Sequence, residues 1–359
     1  LKAKVAAVEF NGSLSAALRE ALDLIGGTDS LNTAETSVVV KVGVFSHKAG
    51  NHASVELVDA ITQHFDRVFR VYLAESDNYQ GTGLERLAVW KELFTDRIAP
   101  VSLSDAQDTR RVRLAGQDMD LANVLFKPNV LVSTHILRSF ESGSILKNLF
   151  GCIPTSKKRK YHKVLPALLA DLYEAVGGVD LAVLDGTYLW QGAGNAPVRV
   201  NTLLVGRDAV AVESVGATLA GLDPTNMPVL QEFVSRDLGE GDLTCIEILG
   251  APFERLQKKF TVAIAAQKKA QAKLKGPQTW GGHAHHALES LIREGFFALP
   301  NKRTMGDVVN ALQAKGLSTA GKEAKIEASL ARRVRSDVLR KDRTQMGWVY
   351  WAELYQTSR

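Results

Sequence analysis

The chain has 359 residues, 45% of them hydrophobic and 23% charged, enough to build a sizeable core in more than one domain. No apolar run reaches the about 18–20 residues that cross a bilayer. The opening LKAKVAAVEFNGS reads as a first strand rather than a signal peptide. The two cysteines, Cys152 and Cys245, stand outside any CxxC pair, which excludes a disulfide framework, a zinc ribbon and a cysteine-ligated iron–sulfur site and fits a reducing cytoplasm.

In chain order, Val5–Phe10 is expected to be a strand and Ser13–Ile25 a helix begun by a serine cap. Thr36–Phe45 is a β-branched run fit for a buried strand, and Asn51–Phe65 carries Val55, Val58, Ile61 and Phe65 near a 3.6-residue period, with Asn51 as its cap. Val68–Ala74 is a strand and Gly81–Phe94 is helical. Val112–Leu114 and Val124–Val132 are further strands. Then come a helix at Val164–Val176, strands at Leu181–Leu184 and Val198–Val205, helices at Ala209–Leu219 and Met227–Asp237, and a strand at Cys245–Leu249. This alternation predicts an α/β fold with a mostly parallel sheet flanked by helices.

Composition changes after Pro252. Six lysines and no acid occupy Lys258–Lys275, so the net charge of +5 is locally concentrated. The expected division is an α/β domain over residues 1–257, a basic helical linker over 258–282 that breaks at GPQTWGG, and a domain over 283–359. The last segment reads as helices at Ala284–Glu294, Thr304–Lys315 and Lys322–Arg335, then a ribbon over Leu339–Leu354, the plan of a winged helix. Its Lys322, Lys325, Arg332, Arg333, Arg335, Arg340 and Arg343 suit phosphate contacts, with a solvated helix face as the plain alternative. Trp348, Tyr350 and Trp351 suit either protein anchoring or a core.

Chemistry-bearing residues gather between Thr134 and Pro224. Asp185 ends a strand, where open α/β sheets bind ligands. The loop after it carries Gly192, Gly194 and Asn195, whose backbone N–H groups suit an anion; it lacks both nucleotide-binding glycine motifs. Lys147 and Asn148 sit among Leu146, Leu149 and Phe150, so the lysine must snorkel or find an anion, and burial would suit it to base or Schiff-base chemistry. His135 and His162 are candidate proton carriers. Asp208 is placed as a helix cap, and Glu213 is an acid among valines. Lys41 ends the buried strand, before Ser46, His47 and Lys48. The cluster His283–His286 reads as exposed, and no metal site is expected.

The order KPN, TH, SILKNLFGCIP, H, LDG, GAG, P, LLVGRDAVAVE and GLDP over roughly Val38–Gly250 resembles the DUF362 family of largely unassigned α/β proteins. That family is distantly similar to nickel-dependent lactate racemases, which implies a two-lobed fold with a cleft. The resemblance picks out His135, Lys147, Asn148, His162, Asp185, Gly186, Gly192, Gly194 and Asp208, with Glu213 where the family usually has aspartate. Three departures stand out: Lys41-Val42-Gly43 replaces an early KPN-like strand end, Ser133 replaces a lysine, and a ferredoxin-like cysteine insert is absent, so no iron–sulfur cluster is implied. The terminal segment is similar to winged-helix domains common in archaeal proteins. Together these readings imply an enzyme, or former enzyme, that binds a small anionic ligand in a cleft. His135, Lys147, His162 and Asp185 would be catalytic, and Lys41, Asn148, Gly192, Gly194, Asn195, Asp208 and Glu213 would contact the ligand. The cofactor stays unassigned and no membrane partner is expected. The competing expectation is a nucleic-acid-binding or protein-binding regulator that acts through the winged helix.

Overall fold

The β-branched run around Val40 forms a strand buried on both sides, and the rest of the first unit is arranged about it. In the computed structural model, which describes residues 2–47, 51–190, 197–275, 280–335, 338–345 and 347–352, the chain divides into two compact units, Leu1–Gln267 and Lys268–Arg359. The first unit opens with β1 (Ala3–Glu9), α1 (Leu14–Leu24) and β2 (Ser37–Val42), and Ser13 caps α1 by accepting from Ala16 N at 3.2 Å. A short pair, β3 (Val44–Ser46) and β4 (Asn51–His52), leads to α2 (Val55–His64) and β5 (Arg70–Glu75). Ser54, not Asn51, caps α2, because Asn51 is taken up in β4. The helical stretch expected over Gly81–Phe94 is α3 (Gly83–Leu87) and a 3₁₀ segment, Ala88–Leu93, kinked at Trp90.

β6 (Ile98–Ser102) follows, then β7 (Thr109–Leu114) and β8 (Gln117–Ala122) as a hairpin. Its two-residue turn puts Ala115 at φ 46° and Gly116 at φ 77°, the geometry that matches strand twist in tight hairpins. The strand expected from Val124 starts later, as β9 (Val130–Arg138), after a 3₁₀ turn at Asn123–Leu125. Then come α4 (Ile145–Asn148), α5 (Leu165–Val176), β10 (Leu181–Trp190), β11 (Val198–Gly206), α6 (Ala209–Leu219), α7 (Pro228–Ser235), β12 (Ile246–Gly250) and α8 (Phe253–Lys275). α8 runs through the boundary expected after residue 257.

Eight strands form one mixed sheet in the order β12-β1-β11-β10-β9-β2-β5-β6. Every neighbouring pair is parallel except the two that involve β11. Side chains alternate between two cores. Val38, Val40 and Val42 join one with α1 and α2, while Val39 joins the other with α5, α6 and α7. Burial on both faces explains why these strands read as continuous apolar runs. Each fully buried valine or leucine contributes about 1.5–3 kcal/mol.

The second unit contains α9 (Trp280–Arg293), β13 (Arg303–Thr304), α10 (Met305–Ala314), α11 (Glu323–Arg335), β14 (Arg340–Thr344) and β15 (Gly347–Trp351). Its sheet order, β13-β15-β14, and its helix–strand–helix–helix–ribbon sequence are those of a winged helix. Leu288, Phe297, Val308, Leu312, Ile326 and Tyr350 form its core. His283–His286 lie on α9, and no group of three metal-ligating side chains occurs among the described residues.

Candidate functional site

At the carboxyl ends of β2, β5 and β9 the sheet carries a buried ionic cluster. Lys41 is fully buried; its Nζ donates to Glu75 Oε2 at 2.9 Å, to Asn148 Oδ1 at 3.0 Å and to the Val42 carbonyl at 2.8 Å. Arg86 lies 3.2 Å from Glu75 Oε1 and also donates to the Ser76 and Val44 carbonyls. Asn148 Nδ2 donates to the Lys41 carbonyl at 2.7 Å, to Ser133 Oγ and to the Thr134 carbonyl. Thus one carboxylate is shared by two buried cations, which leaves the triad one positive charge in excess, and an amide joins three chain segments. The close approach requires glycine at 151, where a Cβ would strike Lys41 Nζ and Glu75 Oε1.

Above this floor opens a cavity of about 1240 Å³. Its wall carries Arg86, Arg138, Lys147, Lys157, Lys158, Arg159, Lys160 and Lys163, and Glu75 is its one acid among the described residues. Since Glu75 is already committed to Lys41 and Arg86, the wall keeps a surplus of positive charge. Phe45 and Tyr79, both exposed, meet edge to face at 5.8 Å beside it.

Lys147 is the site's most unusual group. Its Nζ is buried without a hydrogen-bond partner among the described residues and lies 3.9 Å from the Phe150 ring centroid. Burial, then repulsion from Arg138 and Lys158, brings its pKa down to about 7. Lys158, held by a 2.6 Å bond to Ser76 Oγ, is brought down to about 8, chiefly by burial. Burial likewise lowers Arg138 to about 10; its Nη2 donates to the Gly143 carbonyl at 2.8 Å. His135 is 4% exposed, and burial followed by repulsion from Arg138 and Lys41 takes its pKa well below the usual histidine value, so its ring is neutral. It packs on Gly43, where a Cβ would strike the ring. His162 is exposed at the rim, with Nδ1 3.1 Å from the Arg159 carbonyl and its ring edge-on to Phe150 at 5.5 Å. Burial raises the Cys152 thiol to about 12, which leaves it inert.

Of the residues expected at the site, His135, Lys147, Asn148 and His162 line the cavity. Others have structural duties. Lys41 lies beneath the cavity with its donors occupied, and Asn148 spends its amide on backbone and Lys41. Asp185 is 1% exposed and accepts from Ser54 N and from Thr187 N and Oγ1, so it fastens β10 to the start of α2. Asp208 caps α6 and accepts from Glu240 N, at the opposite end of the sheet because β11 runs antiparallel. Glu213 accepts from Ser144 N at 2.8 Å and Leu146 N at 2.9 Å, and so pins the turn that presents Lys147. Gly192, Gly194 and Asn195 lie outside the described residues. In the second unit Arg333 is buried and bonds Glu289, Ser329 and His285, which removes it from the expected phosphate contacts.

Arg86, Arg138 and Lys158 were not among the expected site residues. Arg138 ends β9 three residues after His135, a spacing that the sequence does display; Lys158 belongs to the basic run KKRK.

Residues 38–218, just over half of the chain, match the model of a domain of unknown function, DUF362, so the chain belongs to that family. A thylakoid-associated protein of Synechocystis sp. is 23% identical over 241 residues, covering 61% of this chain and 74% of that protein. No solved structure matches. No helix among the described residues is long and apolar enough to cross a membrane.

Proposed function

We propose that this DUF362 chain binds a small anionic ligand in the cavity at the carboxyl ends of β2, β5 and β9. The observation that carries the reading is Lys147, a buried amine with no hydrogen-bond partner among the described residues in a wall whose cations outnumber its acids. A buried charge without a counter-charge is costly, and an incoming anion removes that cost. Arg138 supplies a planar fork suited to carboxylate or phosphate, and Lys158 a point charge. His162 at the rim and neutral His135 inside are the available proton carriers. Titration calorimetry of the full chain with inorganic pyrophosphate tests the reading. Binding that weakens in Arg138→Gln supports it; heats indistinguishable from dilution at low ionic strength reject it.

A second reading concerns the winged-helix unit. Trp348 is 42% exposed on the ribbon, with Lys341 Nζ 4.2 Å and the Arg343 guanidinium 5.8 Å from its ring. An exposed indole between two cations suits a nucleic-acid base stacked over a phosphate contact. Lys322, Lys325, Arg332, Arg335 and Arg340 would add backbone charge. Affinity for a single-stranded oligonucleotide should then fall steeply with salt and fall again in Trp348→Ala; no binding at low salt removes this reading.

A further inference from the structure

We propose that Lys147 forms a covalent imine with the carbonyl carbon of a 2-oxo acid whose carboxylate is held by Arg138 and Lys158. The inference deepens the anion-binding reading and rests on it. Three observations converge. The amine is inside the cavity, buried and free of hydrogen bonds among the described residues, so its lone pair is not engaged elsewhere. It stands over the Phe150 ring at 3.9 Å, so aromatic carbon covers one side of the nitrogen in place of water; the ring face itself favours the ammonium, and it is burial with the neighbouring cations that favours the neutral amine. Its nearest charged neighbours are cations, Arg138 and Lys158, so a carboxylate drawn to them brings an adjacent carbonyl to the amine. A lysine in an apolar pocket beside another cation is the arrangement that activates an amine as a nucleophile at neutral pH. Lys158 is the poorer candidate because its Nζ is bonded to Ser76 Oγ at 2.6 Å.

The step balances without an oxidant or reductant. The Nζ lone pair attacks the carbonyl carbon, and the C=O π pair moves to oxygen, which takes up a proton from solvent to give the carbinolamine. The nitrogen loses a proton to the His162 imidazole. Its Nδ1 faces the Arg159 carbonyl at 3.1 Å as donor, which leaves Nε2 as the nitrogen that can accept. The carbinolamine hydroxyl then leaves as water when that proton is returned to it. The product is a protonated imine, an electron sink next to the ligand's carboxylate.

The test is reductive trapping. The full chain is incubated with pyruvate and sodium cyanoborohydride near neutral pH, then digested and mapped by mass spectrometry. The expected result is one predominant modified lysine, Lys147, heavier by the mass of pyruvate less one oxygen atom. The adduct should be lost in K147M and in K147R, and suppressed by pyrophosphate. K147R keeps the charge and therefore serves if K147M does not fold. Modification spread over surface lysines with Lys147 unlabelled overturns the proposal. If pyrophosphate binds, as calorimetry reads it, but no Lys147 adduct forms, the imine is refuted and the anion site stands; if neither occurs, both fail.

Discussion

Replacing Lys147 with methionine should weaken anion binding in a way that depends on pH. The anion binds the ammonium form, and with a pKa of about 7 half of the amines are protonated at that pH. Protonating the rest costs about 0.4 kcal/mol at pH 7, about 1.4 kcal/mol at pH 8 and about 1.4 kcal/mol more for each further pH unit. A charge-assisted hydrogen bond contributes roughly 1.5–3 kcal/mol. The net loss in K147M is then about 1.1–2.6 kcal/mol at pH 7, or roughly 6- to 80-fold in Kd. At about pH 6 the gap between wild type and variant widens slightly; near pH 9 the protonation cost of roughly 2.7 kcal/mol consumes most or all of it. Calorimetry with pyrophosphate at each pH measures both proteins, and their ratio cancels the ligand's own titration. The unliganded protein should respond in the opposite sense. An unsatisfied buried donor costs about 1–3 kcal/mol, so K147M should be more stable than wild type at about pH 6 in urea unfolding. For wild type, the folded pKa lies below the ordinary 10.5, so the unfolded chain holds more protons between the two values. The contribution of this group to stability therefore rises with pH across that window, and the variant lacks the rise. Equal affinities at low pH, or a gap that persists undiminished at high pH, would refute the reasoning.

Other expectations follow from the residues beneath the cavity. Glu75→Gln leaves Lys41 and Arg86 buried without their counter-charge and should cost about 3–5 kcal/mol in urea unfolding; a cost under about 1 kcal/mol would show that the cluster relaxes to solvent. Gly151→Ala pushes a methyl group into Lys41 Nζ and Glu75 Oε1 and should destabilise by about 1–3 kcal/mol. Glu213 has its pKa raised, chiefly by burial, above the ordinary 4.5. Its stabilising share is complete below that value and is lost as pH rises through the folded pKa, so Glu213→Gln should flatten wild-type stability over that acidic range in urea unfolding; an unchanged slope would count against it.

The sheet was legible because its strands carry continuous apolar runs and its helices a clear period, as in Thr36–Phe45 and Asn51–Phe65. The β7–β8 hairpin was half missed: Thr109–Ala122 alternates charged and apolar residues weakly, and Ala115 is an unusual occupant of a positive-φ turn. Lys147 stood out because it interrupts an apolar stretch. The duties of Lys41, Asp185, Asp208 and Glu213 did not, since a polar residue in such a motif reads the same whether it faces a ligand or a backbone amide. Asp185 accepts from Ser54, 131 positions away, a pairing that only the folded register creates. The same holds for Arg138, whose place beside Lys147 depends on where β9 ends.

Glu213 reaches from the middle of α6 to fix the amides of Ser144 and Leu146, so the Lys147 amine projects from a backbone already immobilised by the interior. Much of the conformational freedom that capture would otherwise remove has gone before any guest arrives. It follows that drift within α6, though its residues never touch the cavity, should register first as altered aim of Lys147, and that compensating changes for a poorly aimed amine are to be sought in that helix.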